Sequence, residues 1–110
     1  MASKLQGYRF HRIIVDEVHT DEVYYDGTLV HAFEGHIGTV FAVAVTLDGQ
    51  HIISGATDRL VRVWSVATKS LVSTCRGHTG WVRAVAAMPD GQRILSGSRD
   101  TTIRVWLLDG

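Results

Sequence analysis

The chain repeats itself. Gly35-His36 returns as Gly77-His78, Asp48-Gly49 as Asp90-Gly91, Ser54-Gly55 as Ser96-Gly97, and Arg62-Val63-Trp64 as Arg104-Val105-Trp106, always 42 residues on. Laying 27–68 on 69–110 without a gap gives 19 identities in 42 positions. No other feature restricts the fold as much. Each copy of such a repeat is one supersecondary unit that buries its apolar face only by stacking on a neighbour.

Inside each copy the apolar residues recur with period two. "TVFAVAV", "HIISGA", "LVRVWSV" and "SLVSTC" are short, rich in Val, Ile and Thr, and separated by turn residues. Asp48-Gly49 and Asp90-Gly91 are hairpin signals, since glycine enters φ > 0 without steric cost, and Pro89 presets φ at the start of the second turn. Four strands per 42 residues, with almost no helical pattern, predict an all-β chain built from blade-sized antiparallel sheets.

With Gly-His, Asp-Gly, Ser-Gly-x-x-Asp and Arg-Val-Trp at these spacings, residues 28–110 resemble the WD-repeat β-propeller family. The resemblance implies two four-stranded blades of an incomplete propeller: a first repeat at 28–68 and a second at 69–110. The Asp that should follow each Trp is replaced by Ser65 and Leu107, at the loosest position of the signature.

Each copy holds a His, a Ser and an Asp, the ingredients of a hydrolase triad. The resemblance implies a structural hydrogen-bond chain instead, formed by His36, Ser54, Asp58 and Trp64 and again by His78, Ser96, Asp100 and Trp106. Physical chemistry agrees. A buried indole N–H needs an acceptor, a hydroxyl can relay the bond, and a carboxylate fixes the tautomer of an imidazole that both donates and accepts. Three points argue against catalysis. The set recurs in each repeat, neither serine lies in a "GxSxG" elbow, and each tryptophan would engage the oxygen that must attack. The expectation is a protein that is not an enzyme and needs no cofactor.

The 110 residues suggest one modest core. Eleven basic residues balance eleven acidic ones, with no clustered basic stripe, which speaks against nucleic acid. No apolar run approaches the ~20 residues of a membrane span. A single cysteine, Cys75, precludes an intrachain disulfide and fits a reducing compartment, so a cytoplasmic location is expected. Lys4, Arg9 and Arg12 in an acid-free start faintly suggest an organelle transit peptide, but the tract is short and serine-poor. Residues 1–27 carry no repeat signature and are read as an edge strand or polar hairpin. His11, Asp16, Glu17 and His19 match no standard metal spacing, so no metal site is expected.

Propellers close with about four to eight blades, and two repeats fall short. Read from Thr28, each copy runs outer strand then three inner strands, so "TLVHAF" (28–33) is an orphan outer strand and the last three strands lack one. Two expectations stand side by side. Copies of the chain close a ring of six or eight blades as a homo-oligomer, or the chain is a piece of a larger WD-repeat protein or assembly.

In the family resembled, partners dock on the face formed by the outer-to-inner loops and the turns between the second and third inner strands. Those positions are Thr39, Phe41 and Thr57 in the first repeat and Trp81, Arg83 and Arg99 in the second. Trp and Arg are enriched at binding hot spots. The second set suits a protein or peptide partner that is acidic or phosphorylated. The alternatives are that both arginines pair with Asp residues of adjacent blades, and that Phe41 packs against a neighbouring chain.

Overall fold

A computed structural model describes residues 27–108. Contacts divide the chain into two units, Met1–Ala32 and Phe33–Gly110. Of the first, only 27–32 are described, and they form no strand. The notions of an N-terminal hairpin and of ligands at His11, Asp16, Glu17 and His19 fall outside the described residues. Those described contain no helix, hence none long and apolar enough to cross a membrane. They also contain no group of three or more His, Cys, Asp or Glu placed to hold a metal.

The second unit holds seven strands: β1 (Val40–Val45), β2 (His51–Ala56), β3 (Val61–Ser65), β4 (Ser70–Cys75), β5 (Val82–Ala87), β6 (Arg93–Ser98) and β7 (Ile103–Leu107). They make two antiparallel sheets, β1-β2-β3-β4 and β5-β6-β7. The second sheet has three strands where the repeat alone suggests four. At the 42-residue offset, the counterpart of β4 falls at 112–117, past Gly110. The expected outer strand at 28–33 is not formed in the structure.

Local chemistry closes the hairpins as the sequence predicts. Gly49 and Gly91 stand at φ 75° and 73°. Asp48 Oδ1 accepts from the Gln50 N–H at 2.9 Å and the Thr46 hydroxyl at 2.7 Å, and these bonds hold its carboxyl below the usual range. Asp90 accepts from the Gln92 N–H at 2.8 Å, and Arg93 forks onto its other oxygen at 2.9 and 2.8 Å.

Alternation along the strands gives each sheet two faces. Ile53, Gly55, Val61 and Val63 share one face of the first sheet, and it packs on Val82, Val85 and Ile94 of the second. The buried core lies there, between the sheets. Gly55 is required by that contact, because a Cβ on it would overlap Val82 and approach Val85 to 3.2 Å. Burial of these side chains contributes on the order of 1.5–3 kcal/mol each.

β1 and β5 each carry a register irregularity near their start, between Val40 and Ala42 and between Val82 and Ala84. The extra residues are Phe41 and Arg83. A bulge re-aims its side chain out of the sheet, and here it turns both residues toward the rim.

Candidate functional site

The structure brings each of the two polar sets together through short hydrogen bonds. In the first, the Trp64 Nε1–H donates to Ser54 Oγ at 2.8 Å, and Ser54 Oγ lies 2.6 Å from His36 Nε2. His36 Nδ1 lies 3.0 Å from Asp58 Oδ2. In the second, Trp106 Nε1 to Ser96 Oγ is 2.8 Å, Ser96 Oγ to His78 Nε2 is 2.7 Å, and His78 Nδ1 to Asp100 Oδ2 is 2.8 Å. Donor arithmetic sets every proton. An indole only donates, so the serine oxygen accepts from it and sends its own proton to Nε2. A carboxylate only accepts, so Nδ1 carries the imidazole hydrogen.

Each aspartate also ties down the chain around it. Asp58 accepts from the Ile37 N–H at 3.0 Å and the Leu60 N–H at 3.1 Å. Asp100 accepts from the Thr79 N–H at 3.0 Å, the Thr102 N–H at 2.8 Å and the Thr102 hydroxyl at 2.7 Å. Burial pushes the Asp58 carboxyl up, but bonds from His36, Ile37 and Leu60 outweigh it and leave the group below its ordinary range. At Asp100 the Thr102 hydroxyl leads. Burial opposes it, and His78 with the N–H groups of Thr102 and Thr79 completes a strong depression. The hydroxyl at Thr102, where the first repeat has Leu60, was not singled out in the sequence.

The glycines of the Gly-His pairs have a packing reason. A Cβ on Gly35 would come within 2.5 Å of Arg62 Nη1 and 3.0 Å of the Trp64 ring, and one on Gly77 within 2.7 Å of Arg104 Nη1. Phe33 tilts against Trp64 with centroids 5.4 Å apart. Ser54 and Ser96 are buried. Each oxygen accepts a hydrogen bond from the indole and donates its own O–H to histidine, so each hydroxyl is engaged in the fold.

On the rim the six candidate residues divide into two groups. In the first repeat, Thr39 and Thr57 bond to each other. The Thr57 N–H donates to the Thr39 carbonyl at 2.9 Å, and the Thr39 N–H donates to Thr57 Oγ1 at 3.0 Å. In the second, Trp81 and Arg99 occupy the same two places. The Arg99 N–H donates to the Trp81 carbonyl at 2.9 Å, which leaves both side chains for other contacts. The Arg99 guanidinium lies 4.7 Å over the Trp81 ring. Trp81 meets Phe41 at 5.4 Å, and Arg83 lies 4.9 Å over Phe41.

The result is a ladder, Arg99–Trp81–Phe41–Arg83, crossing from one sheet to the other. Cation–π contacts at exposed sites contribute about 0.5–1 kcal/mol each. Among the described residues neither arginine pairs with a carboxylate. Phe41 packs on Trp81 within the chain. Beside the ladder, Arg59, Thr79, Gly80, Trp81 and Arg99 line a cavity of about 400 Å³. Arg59 was missed in the sequence, since only the fold brings the turn of one sheet beside the second sheet. Its left-handed backbone, φ 73°, belongs to that turn.

Blade-sized antiparallel sheets stacked face to face, each stapled by a Trp–Ser–His–Asp chain, define a repeat protein of propeller type. Residues 27–65 and 69–106 match the WD40 family (WD domain, G-beta repeat), and the chain belongs to it. It is 40% identical over 40 residues to the intraflagellar transport protein 122 homolog of Danio rerio, a match covering 36% of this chain and 3% of that protein. Among solved structures it resembles those of U3-55K and of the RRP9 WD40 repeats. Each has a TM-score of 0.65 at 27% identity, covering 68% of this chain and 23% of the other. The chain thus spans a small part of the proteins it matches.

Proposed function

We propose that the chain is a non-enzymatic interaction scaffold whose rim ladder takes an acidic or phosphorylated peptide. WD40 repeats imply a protein-interaction role. The observation that carries the finer reading is the Arg99–Trp81–Phe41–Arg83 ladder beside the Arg59 cavity: three guanidinium groups without carboxylate partners among the described residues, next to two exposed rings. Guanidinium groups fork onto carboxylate and phosphate oxygens, and the rings supply flat apolar area. Thr39 and Thr57, tied to each other, shape the rim rather than read the partner. The absence of catalysis rests on the engaged serine oxygens of both polar sets.

The test is fluorescence anisotropy with labelled glutamate-rich and phosphoserine peptides against the chain and its Arg99→Ala and Trp81→Ala variants. Binding that weakens tenfold or more in both variants and fades with salt is the expected result. No binding, or binding untouched by either variant, would overturn it. A second reading, that copies of the chain close a propeller of six or eight blades, is favoured by the exposed apolar residues on the outward face of each sheet, Val40 and Val43 on one and Ile103 and Val105 on the other.

A further inference from the structure

The contact between the two sheets shows what each open face is shaped to receive. In that contact Gly55, Val61 and Val63 of the first sheet meet Val82 and Val85 of the second. Val61, Val63 and Val82 are 0%, 1% and 0% exposed. Shifting each residue by 42 gives its counterpart on the faces that are open among the described residues. Gly97, Ile103 and Val105 lie on the open face of the second sheet, and Val40 and Val43 on that of the first. Ile103 is 78% exposed, Val105 57%, Val40 48% and Val43 67%. Four of the five positions hold the same residue type as their buried counterpart, and the fifth exchanges Val for Ile.

The notch is vacant too. A Cβ on Gly55 would overlap Val82, whereas one on Gly97 meets nothing within 4 Å. An apolar groove of about 210 Å³ runs there, lined by Ala84, Ala86, Leu95, Gly97 and Ile103 among others.

We propose that these two faces are the halves of a head-to-tail interface between copies of this chain, with Val40 of one copy seated in the Gly97 notch of the next. The occupant is a second copy because the chain already displays the contact once: Val82 on Gly55 is the same pair of residue types in the same strands. The contact is heterologous, since the two faces differ, so it propagates until rotation closes a ring. Two blades per chain restrict a closed ring to even blade numbers, with three or four chains inside the usual range. This rests on the assembly reading above and supplies its interface. It is independent of the rim ladder, which uses neither Val40 nor Gly97.

Gly97 offers a discriminating variant. It is not among the positive-φ residues, and its side-chain direction is open. Gly97→Val is therefore tolerated within one chain while filling the notch that a second copy needs. Molar mass by light scattering, across low to high micromolar concentration, should give three or four chains for the natural sequence. Gly97→Val and Val40→Glu should give monomers with unchanged circular dichroism.

A Cβ built on Gly55 lies 3.0 Å from the Val82 Cβ, near the ~3.5–4.5 Å separation of a disulfide. Mixed Val40→Cys and Gly97→Cys chains, each in a Cys75→Ala background, should then cross-link between copies upon oxidation. A natural chain that stays monomeric at every concentration, assembly that survives Gly97→Val, or a mixture that fails to cross-link would each overturn the proposal. Peptide binding lost at the rim while assembly persists would instead remove the peptide reading and leave this one standing.

Discussion

The Trp106 indole donates to the Ser96 hydroxyl over 2.8 Å, and Ser96 in turn sits 2.7 Å from His78 Nε2. One buried oxygen therefore satisfies two strands and a loop at once. Ser96→Ala leaves the indole N–H and the imidazole nitrogen without that partner in a site that water hardly reaches. A loss of about 1–3 kcal/mol is expected, read as a lower midpoint in urea unfolding. Ser54→Ala should act in the same direction. Arg83→Ala, on the exposed rim, should change the midpoint little, and a loss as large as that of His78→Ala would make Arg83 structural.

Acid should act through the same sets. Asp58 and Asp100 both have folded-state pKa values held below the ordinary carboxylate value. Such a group contributes stability that is fully present above its unfolded value, about 4, and is lost as the pH falls through the lower folded value. The melting temperature should drop as pH is lowered beneath about 4. Asp100→Asn should start lower and decline less steeply over that range. Thermal melts followed by circular dichroism from mildly to strongly acid buffer would check both slopes.

Gly55 and Val82 are coupled by volume. Gly55→Ala places a methyl where Val82 already lies, and overpacking of this kind costs about 1–3 kcal/mol. Val82→Ala alone opens a cavity. Combined, the two changes relieve each other, so the double variant should be less destabilised than the sum of the singles. A double-mutant cycle by denaturant unfolding measures the coupling.

Thr101 adopts φ 76°, a left-handed conformation that a β-branched residue enters at a cost, and its counterpart Arg59 stands at 73°. The Thr101 N–H donates to the Ser98 carbonyl at 3.1 Å, so the turn holds the backbone there. Thr101→Asn keeps a polar surface residue and suits that region better. A stabilisation of about 0.5–1 kcal/mol is expected, seen as a melting temperature a few degrees higher.

Much of this protein follows from short-range chemistry. Period-two patterning places β1 to β4 within a residue of the segments read as strands, because alternation along a strand depends on neighbours two residues away. The turns at Asp48-Gly49 and Asp90-Gly91 form because glycine and an aspartate side chain act within the turn itself. The Trp–Ser–His–Asp sets were implied by the resemblance to the WD-repeat family, whereas the 42-residue offset showed only that the same residue types occur in both copies.

Three features were decided only by tertiary structure. Residues 28–33 have strand composition but form none, since a strand exists only where its backbone groups meet a partner strand, and composition does not supply one. The rim ladder joins Phe41 to Trp81 across a sheet boundary, and no spacing encodes which rings meet there. Gly55 and Gly97 are the same residue in the same motif, yet one is filled by Val82 and the other faces open space. Residue pattern and turn chemistry set the blade and its hairpins, which are built from contacts that both copies share. The fold alone decided which copy is covered, because burial belongs to the neighbour a face meets and not to the residues that compose it.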